Sequence, residues 1–212
     1  MPFTKNCRGE KAKVEIVRQY LLSCVGHLKL LPKQSKQGCC GVLTDQYYAF
    51  EYQKKNNPTD AGVFYVGRSC AIDFKELHEP SIDLPRLFDP FKHAVSKTEV
   101  ASQGGAAGGR MPGEGIDPLN AEVQTAIYLI LTIWNVAPTG GFAKILKFIE
   151  NQPLTRTQDW VVKKVNGIVG QHMNDLTLRQ ALHAASNGAL MRTFSFPLIE
   201  QVLKEHGLPV HL

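Results

Sequence analysis

The sequence predicts an α+β protein of two unlike parts, and three observations carry that expectation. Aromatic and β-branched residues crowd residues 40–66, apolar residues recur at helical spacing beyond residue 118, and six glycines and a proline fall within residues 102–115. A segment that poor in large side chains has little to bury against the entropy of ordering its glycines. Residues 96–117 therefore read as a flexible glycine-rich linker, between an α+β module over 1–95 and an all-α helical bundle over 118–212.

In the first part, Val14, Val17, Leu21, Cys24, Val25 and Leu28 recur at steps of three and four, which predicts a helix from Gly9 to Leu31 ended by Pro32. On that wheel Lys11, Arg18 and Lys29 share one meridian as a basic ridge. Residues 40–52 and 62–66 read as strands joined through a turn over Lys54–Asp60, hence a hairpin. Ser69–Leu77 is either a short helix capped by Ser69 or a further strand, and Pro80, Pro85 and Pro90 keep the chain beyond it irregular.

In the second part, Asp117 before Pro118 is a helix-start signature opening Leu119–Val136. Further helices are expected at 142–151 after Thr139, at 157–170, at 176–187, and at 197–206 between Ser195 and the Gly207-Leu208-Pro209 stop. Ala184-x-x-x-Gly188 fits part of a helix-turn-helix, but the stretch before Pro197 is too long for its tight turn, so a plain helical hairpin is expected.

The chain has 212 residues, 43% of them hydrophobic, enough for one large core or two small ones. Its longest apolar run, Ala126–Val136, is interrupted by Thr132 and Asn135 and is too short to span a bilayer. With no secretory pattern at the N-terminus, the expectation is a cytoplasmic protein without membrane contact, its five cysteines reduced. The net charge of +5 is concentrated: Met1–Lys36 holds eight Lys/Arg against Glu10 and Glu15, giving +6 and leaving the remainder near neutral. Lys11, Arg18, Lys29, Lys33 and Lys36 are accordingly the candidate nucleic-acid contacts, and Tyr47, Tyr48, Phe50, Tyr52, Phe64 and Tyr65 the candidate base-stacking surface.

Catalytic motifs are incomplete. Gly104 to Gly109 has phosphate-loop spacing, but Arg110 and Met111 stand where lysine and a hydroxyl are needed. The histidines of the second half are dispersed, and no nucleophile motif accompanies them. Cys40-Gly41 and Gly67-Arg68-Ser69-Cys70-Ala71, set across a hairpin, resemble the knuckles of treble-clef zinc modules. That resemblance implies zinc as a possible cofactor, with Cys40 and Cys70 as ligands alongside His27 or His78; Cys39 adjoins Cys40 without the usual two-residue gap, and Cys24 reads as a core residue. Asp60 followed by Asp73-Phe74-Lys75 is similar in spacing to the metal-dependent nucleases of PD-(D/E)xK type, although Thr59 replaces the proline.

The leading expectation is a non-enzymatic binding or regulatory protein whose basic N-terminal module contacts nucleic acid and whose helices contact protein or a second copy. The alternatives are that nuclease, with Asp60, Asp73 and Lys75 as its catalytic set, and an inhibitor or assembly subunit without nucleic-acid binding.

Overall fold

The computed structural model describes residues 7–91, 115–173 and 176–212. The fold is α+β, with the antiparallel sheet in the N-terminal region and helices dominating the C-terminal one. Two compact units divide the chain: residues 1–88 with 134–143, and residues 89–133 with 144–212. Of the expected linker, residues 96–114 lie outside the described residues, as does the Gly104–Gly109 phosphate-loop match.

The first unit opens with helix α1 (Glu10–Gln19) and strand β1 (Tyr20–Lys29), which corrects the single helix expected over 9–31. From Tyr20 the chain alternates, Tyr20 and Leu22 buried, Leu21 and Ser23 exposed. A bulge between Cys24 and Gly26 then shifts the phase, so Cys24 pairs with Phe50 and His27 with Tyr48 on strand β4 (Gln46–Lys54). That inserted residue turned a two-residue period into steps of two and three, which a helical wheel also accommodates. Cys24, expected in a helical stripe, is thus a strand residue, and Lys29 does not share a helix face with Lys11 and Arg18.

Strand β4 is the centre of the sheet β1-β4-β5, with β5 (Asn57–Val66) returning antiparallel after a tight turn at Lys55-Asn56. A second, two-stranded ribbon pairs β2 (Lys36–Gly38) with β3 (Gly41–Leu43). Residues 69–77 prove helical, within α2 (Arg68–Leu77), whose N-cap is Gly67 rather than Ser69.

One sheet face packs on the helices. Phe50, Phe64 and Phe74 are buried, with ring centroids 5.6 Å (Phe50–Phe64), 5.9 Å (Phe50–Phe74) and 5.7 Å (Phe64–Phe74) apart. The other face takes residues 134–143: Tyr47 Oη donates to the Val136 carbonyl at 3.4 Å, and Lys36 Nζ donates to the Asn135 carbonyl while lying 4.5 Å from the Tyr65 ring centroid. The expected stacking aromatics are therefore structural. Tyr47, Tyr48, Phe50, Tyr52 and Phe64 are buried, and Tyr65 is half-buried against Lys36.

The second unit is helical. Helix α3 (Pro118–Trp134) buries Leu129, Ile130, Leu131 and Thr132 in succession, so it is enclosed on all sides over that turn. Asp117 caps it, its carboxylate accepting from Leu119 N at 2.9 Å and Asn120 N at 3.2 Å. Helices α4 (Gly140–Asn151), α5 (Asp159–His172), α6 (Leu178–Ala185) and α7 (Pro197–Glu205) come next, close to the expected bounds. Ser195 does not cap α7; the carboxylate of Glu122 on α3 accepts from Leu198 N and Ile199 N, each at 3.0 Å. Residues 186–196 separate α6 from α7, a connection too long for the tight turn of a helix-turn-helix, and α7 packs on α5. Gly170 lets the C-terminal segment close onto α5, because a Cβ there would meet the His211 ring at 2.7 Å.

Candidate metal centre

Four cysteines converge in the first unit. The Sγ atoms of Cys7, Cys39, Cys40 and Cys70 all lie within 4.8 Å of one another. Cys39 and Cys40 form the two-residue connection of the β2–β3 ribbon, closed by the Gly38–Gly41 pair and tied to β5 by Cys39 N donating to the Tyr65 carbonyl at 2.9 Å. Gly41 comes next at φ 145°, a backbone conformation that favours glycine. Cys70 sits in the first turn of α2, and Cys7 lies just ahead of α1. The two segments that carry the treble-clef resemblance, Cys40-Gly41 and Gly67–Ala71, thus flank the β4–β5 hairpin, the second of them opening α2.

Cys40 Sγ is the hub, 3.3 Å from Cys7 Sγ, 3.4 Å from Cys39 Sγ and 3.5 Å from Cys70 Sγ. A tetrahedral tetrathiolate with zinc–sulfur bonds of about 2.3 Å separates its sulfurs by about 3.8 Å, so the three contacts to Cys40 already lie within about 0.5 Å of that spacing. In this structure Cys7 and Cys39 are joined as a disulfide, whereas the sequence predicts reduced thiols; Cys40 and Cys70 are thiols. Coordination by all four requires that bond reduced and the thiols deprotonated. Cys7 is fully buried, Cys70 nearly so, and Cys39 and Cys40 half-buried, as befits a closed site.

The surroundings hold the cluster in place and place positive charge beside it. Arg8 donates to the Cys40 carbonyl at 3.0 Å, clasping the N-terminal segment onto the knuckle. Lys13, buried on α1, donates to Asp73 on α2 at 2.5 Å, and this hydrogen bond holds its ammonium above the usual lysine range against the opposing effect of burial. Burial pushes the Cys70 thiol up and Cys40 adds to that, while the Lys13 charge acts in the opposite direction. The Asp73 carboxylate paired with that ammonium pushes the Cys70 thiol up as well, opposing it.

Sequence patterns single out Cys40 and Cys70, and both belong to the cluster; they miss Cys7 and set Cys39 aside. Neither histidine joins them. His78 Nδ1 lies 2.8 Å from the Pro80 carbonyl and its Nε2 accepts from Leu22 N at 3.4 Å. His27 stacks on Tyr48 with centroids 3.7 Å apart and has Nδ1 3.3 Å from the Pro85 carbonyl.

Burial lowers the His27 pKa from 6.5 to about 4. Because the unfolded chain binds the proton more tightly, this residue's contribution to stability is fully present above about pH 6.5 and is lost as pH falls to about 4. The shift corresponds to about 3 kcal/mol. Denaturant melts of wild type and His27→Phe between those limits should show the variant losing less stability; parallel losses would refute the assignment.

The nuclease residues are placed unlike that family's pattern. Asp73 and Lys75 lie on helix α2 rather than a strand, two residues apart and so on diverging sides, and Asp73 is ion-paired with Lys13; Asp60 is on β5. Of the candidate nucleic-acid contacts, Lys11 and Arg18 are exposed on α1, Lys33 is exposed in the loop after β1, Lys29 pairs with Asp45 at 2.5 Å, and Lys36 is half-buried. The structure brings Arg18 together instead with Lys54 and Lys55, in a surface cleft also lined by Gln19 and Asn56.

The model of one protein family, described as "Uncharacterised conserved protein UCP028583", matches residues 5–211. No curated protein and no solved structure matches the chain.

Proposed function

The chain belongs to that uncharacterised conserved family, and we propose that it is a non-enzymatic binding protein whose first unit is ordered by one zinc ion on Cys7, Cys39, Cys40 and Cys70. The observation that carries this reading is the convergence of four sulfurs from three separate parts of the chain within 4.8 Å. Thiolates are soft donors suited to zinc, and four protein ligands complete its tetrahedron. Such a centre leaves no position open for water or substrate, which makes its role structural. Bound metal would pin the start of α1, the β2–β3 knuckle and the first turn of α2 to one point.

The partner of the first unit, in this reading, is nucleic acid, supported by the concentration of positive charge in residues 1–36. The helical unit is read as the protein-binding part. Leu154, Trp160 and Leu190 support that, being large apolar side chains 74%, 55% and 79% exposed. Among the described residues no helix is long and apolar enough to cross a membrane.

Metal analysis of the full chain, purified under reducing conditions, tests the centre. One zinc per chain, released by a mercurial that titrates thiols, is expected. A reduced, folded chain that takes up no zinc would overturn the reading.

A further inference from the structure

The sulfur cluster lies beside the start of α1. The cleft lies at its other end, about 15 Å along the helix axis for ten residues. Two hydrogen bonds build it. Lys55 N donates to the Gln19 carbonyl at 2.9 Å, and Lys55 Nζ donates to the Val17 carbonyl at 3.0 Å, so the β4–β5 turn is fastened to the last turn of α1. A register shift between Gln53 and Lys54, which pairs Lys54 with Asn57, re-aims Lys54 at that junction. The result is an open cleft of about 460 Å³ whose lining holds three cationic and two amide side chains, with neither a carboxylate nor an apolar residue.

Bringing three like charges together is unfavourable unless something answers them. Glu15 is the one carboxylate that pairs with any of the three among the described residues, bonding Arg18 at 2.8 Å from outside the lining. Lys55 also serves the helix end, where a cation suits the free carbonyls. Arg18 sits in that last turn too, but is 74% exposed with only the half-exposed Glu15 as ion-pair partner among the described residues, and Lys54 lies beside it in the lining. Arginine and lysine with amide donors are the usual contacts of phosphodiester oxygens.

We propose that this cleft binds the phosphodiester backbone of nucleic acid, held in register by the metal-pinned helix α1. The inference rests on the nucleic-acid part of the reading above and gives it a site. Because the aromatic rings of the sheet are buried or packed against Lys36, bases have no platform there, and recognition is independent of sequence. An anionic membrane is the less favoured ligand, since the lining offers nothing apolar to insert.

The test is fluorescence anisotropy of the full, zinc-loaded chain with labelled single-stranded DNA of about 20 nucleotides, over a range of salt. Three phosphate contacts predict that log affinity falls against log salt with a slope of about −2. Arg18→Glu with Lys54→Glu should weaken binding at least about tenfold at low salt and flatten the slope to about −0.7. Arg18→Gln with Lys54→Gln should move both in the same direction, and zinc content should stay unchanged in all. Lys147→Glu with Lys164→Glu makes the same charge change on exposed sites of α4 and α5 and should leave the slope as it was. No binding by wild type, equal loss in that control pair, a clear sequence preference, or binding to anionic vesicles but not to DNA would each overturn the proposal. A zinc-free chain that still shows cleft-dependent binding would overturn only the metal's part in holding the cleft.

Discussion

Replacing Cys40 or Cys70 by serine is expected to reduce bound zinc from one per chain to below about a tenth, and to destabilise the first unit by several kcal/mol. Cys40 is the sulfur within 3.5 Å of all three others, and Cys70 is the sulfur that α2 contributes to the cluster. Serine keeps the size but offers zinc a hard, weakly acidic oxygen, and the ligands left behind no longer close the tetrahedron. Because the site joins the start of α1, the knuckle and α2, its loss frees all three, and Lys13 keeps only Asp73 to answer its buried charge. Cys24→Ser is the matched control: its thiol lies on β1 outside the cluster, so metal content should not change. Atomic emission analysis and thermal melts of the full chains under reductant provide the readout. Full zinc in Cys70→Ser, or loss in Cys24→Ser, would contradict the assignment.

The second unit has its own point of failure. Asn120→Ala is expected to cost about 2–4 kcal/mol, from two polar groups orphaned at once, the Thr155 carbonyl and Thr157 N. Asn120 is fully buried in the first turn of α3; its Nδ2 donates to the Pro153 carbonyl at 3.2 Å and the Thr155 carbonyl at 2.9 Å, and its Oδ1 accepts from Thr157 N at 2.8 Å. One side chain thereby holds the connection between α4 and α5 in place. Alanine leaves the Thr155 carbonyl and Thr157 N without partners, while the Pro153 carbonyl keeps Asp117 N at 2.8 Å; Asn120→Asp keeps the shape while replacing the donating amide with a carboxylate facing two carbonyls. Both should unfold the second unit at markedly lower denaturant, with aspartate no better than alanine above neutral pH. Stability within about 1 kcal/mol of wild type in the alanine variant would show that the loop holds itself.

How far the sequence was legible depends on the range of the interactions involved. The helices of the second unit come from local signals: Asp117-Pro118 starts α3, Gly207-Leu208-Pro209 stops α7, and apolar spacing fills the interval. Their caps were less legible. Thr177 closes a capping box with Gln180 on α6, readable as Thr-x-x-Gln, whereas the carboxylate at the start of α7 comes from Glu122, 76 residues away from Leu198.

The first unit shows the same division more sharply. The hairpin was written in the aromatic and β-branched runs over 40–52 and 62–66, although β4 begins only at Gln46 and residues 57–60, expected in the turn, belong to β5; β1 was disguised by its own bulge, and only pairing with β4 makes Tyr20–Lys29 a strand. By itself, the sequence determined the α+β class, the helical second half, the excess charge near the N-terminus and two of the four clustered cysteines. The tertiary structure alone decided that Cys7 and Cys39 join Cys40 and Cys70, and that Arg18 meets Lys54 and Lys55 rather than Lys29. Periodicity reports which way a side chain faces along one element. Convergence of residues 30 to 63 positions apart depends on how the β2–β3 ribbon, the sheet and the two helices pack, which no local pattern encodes.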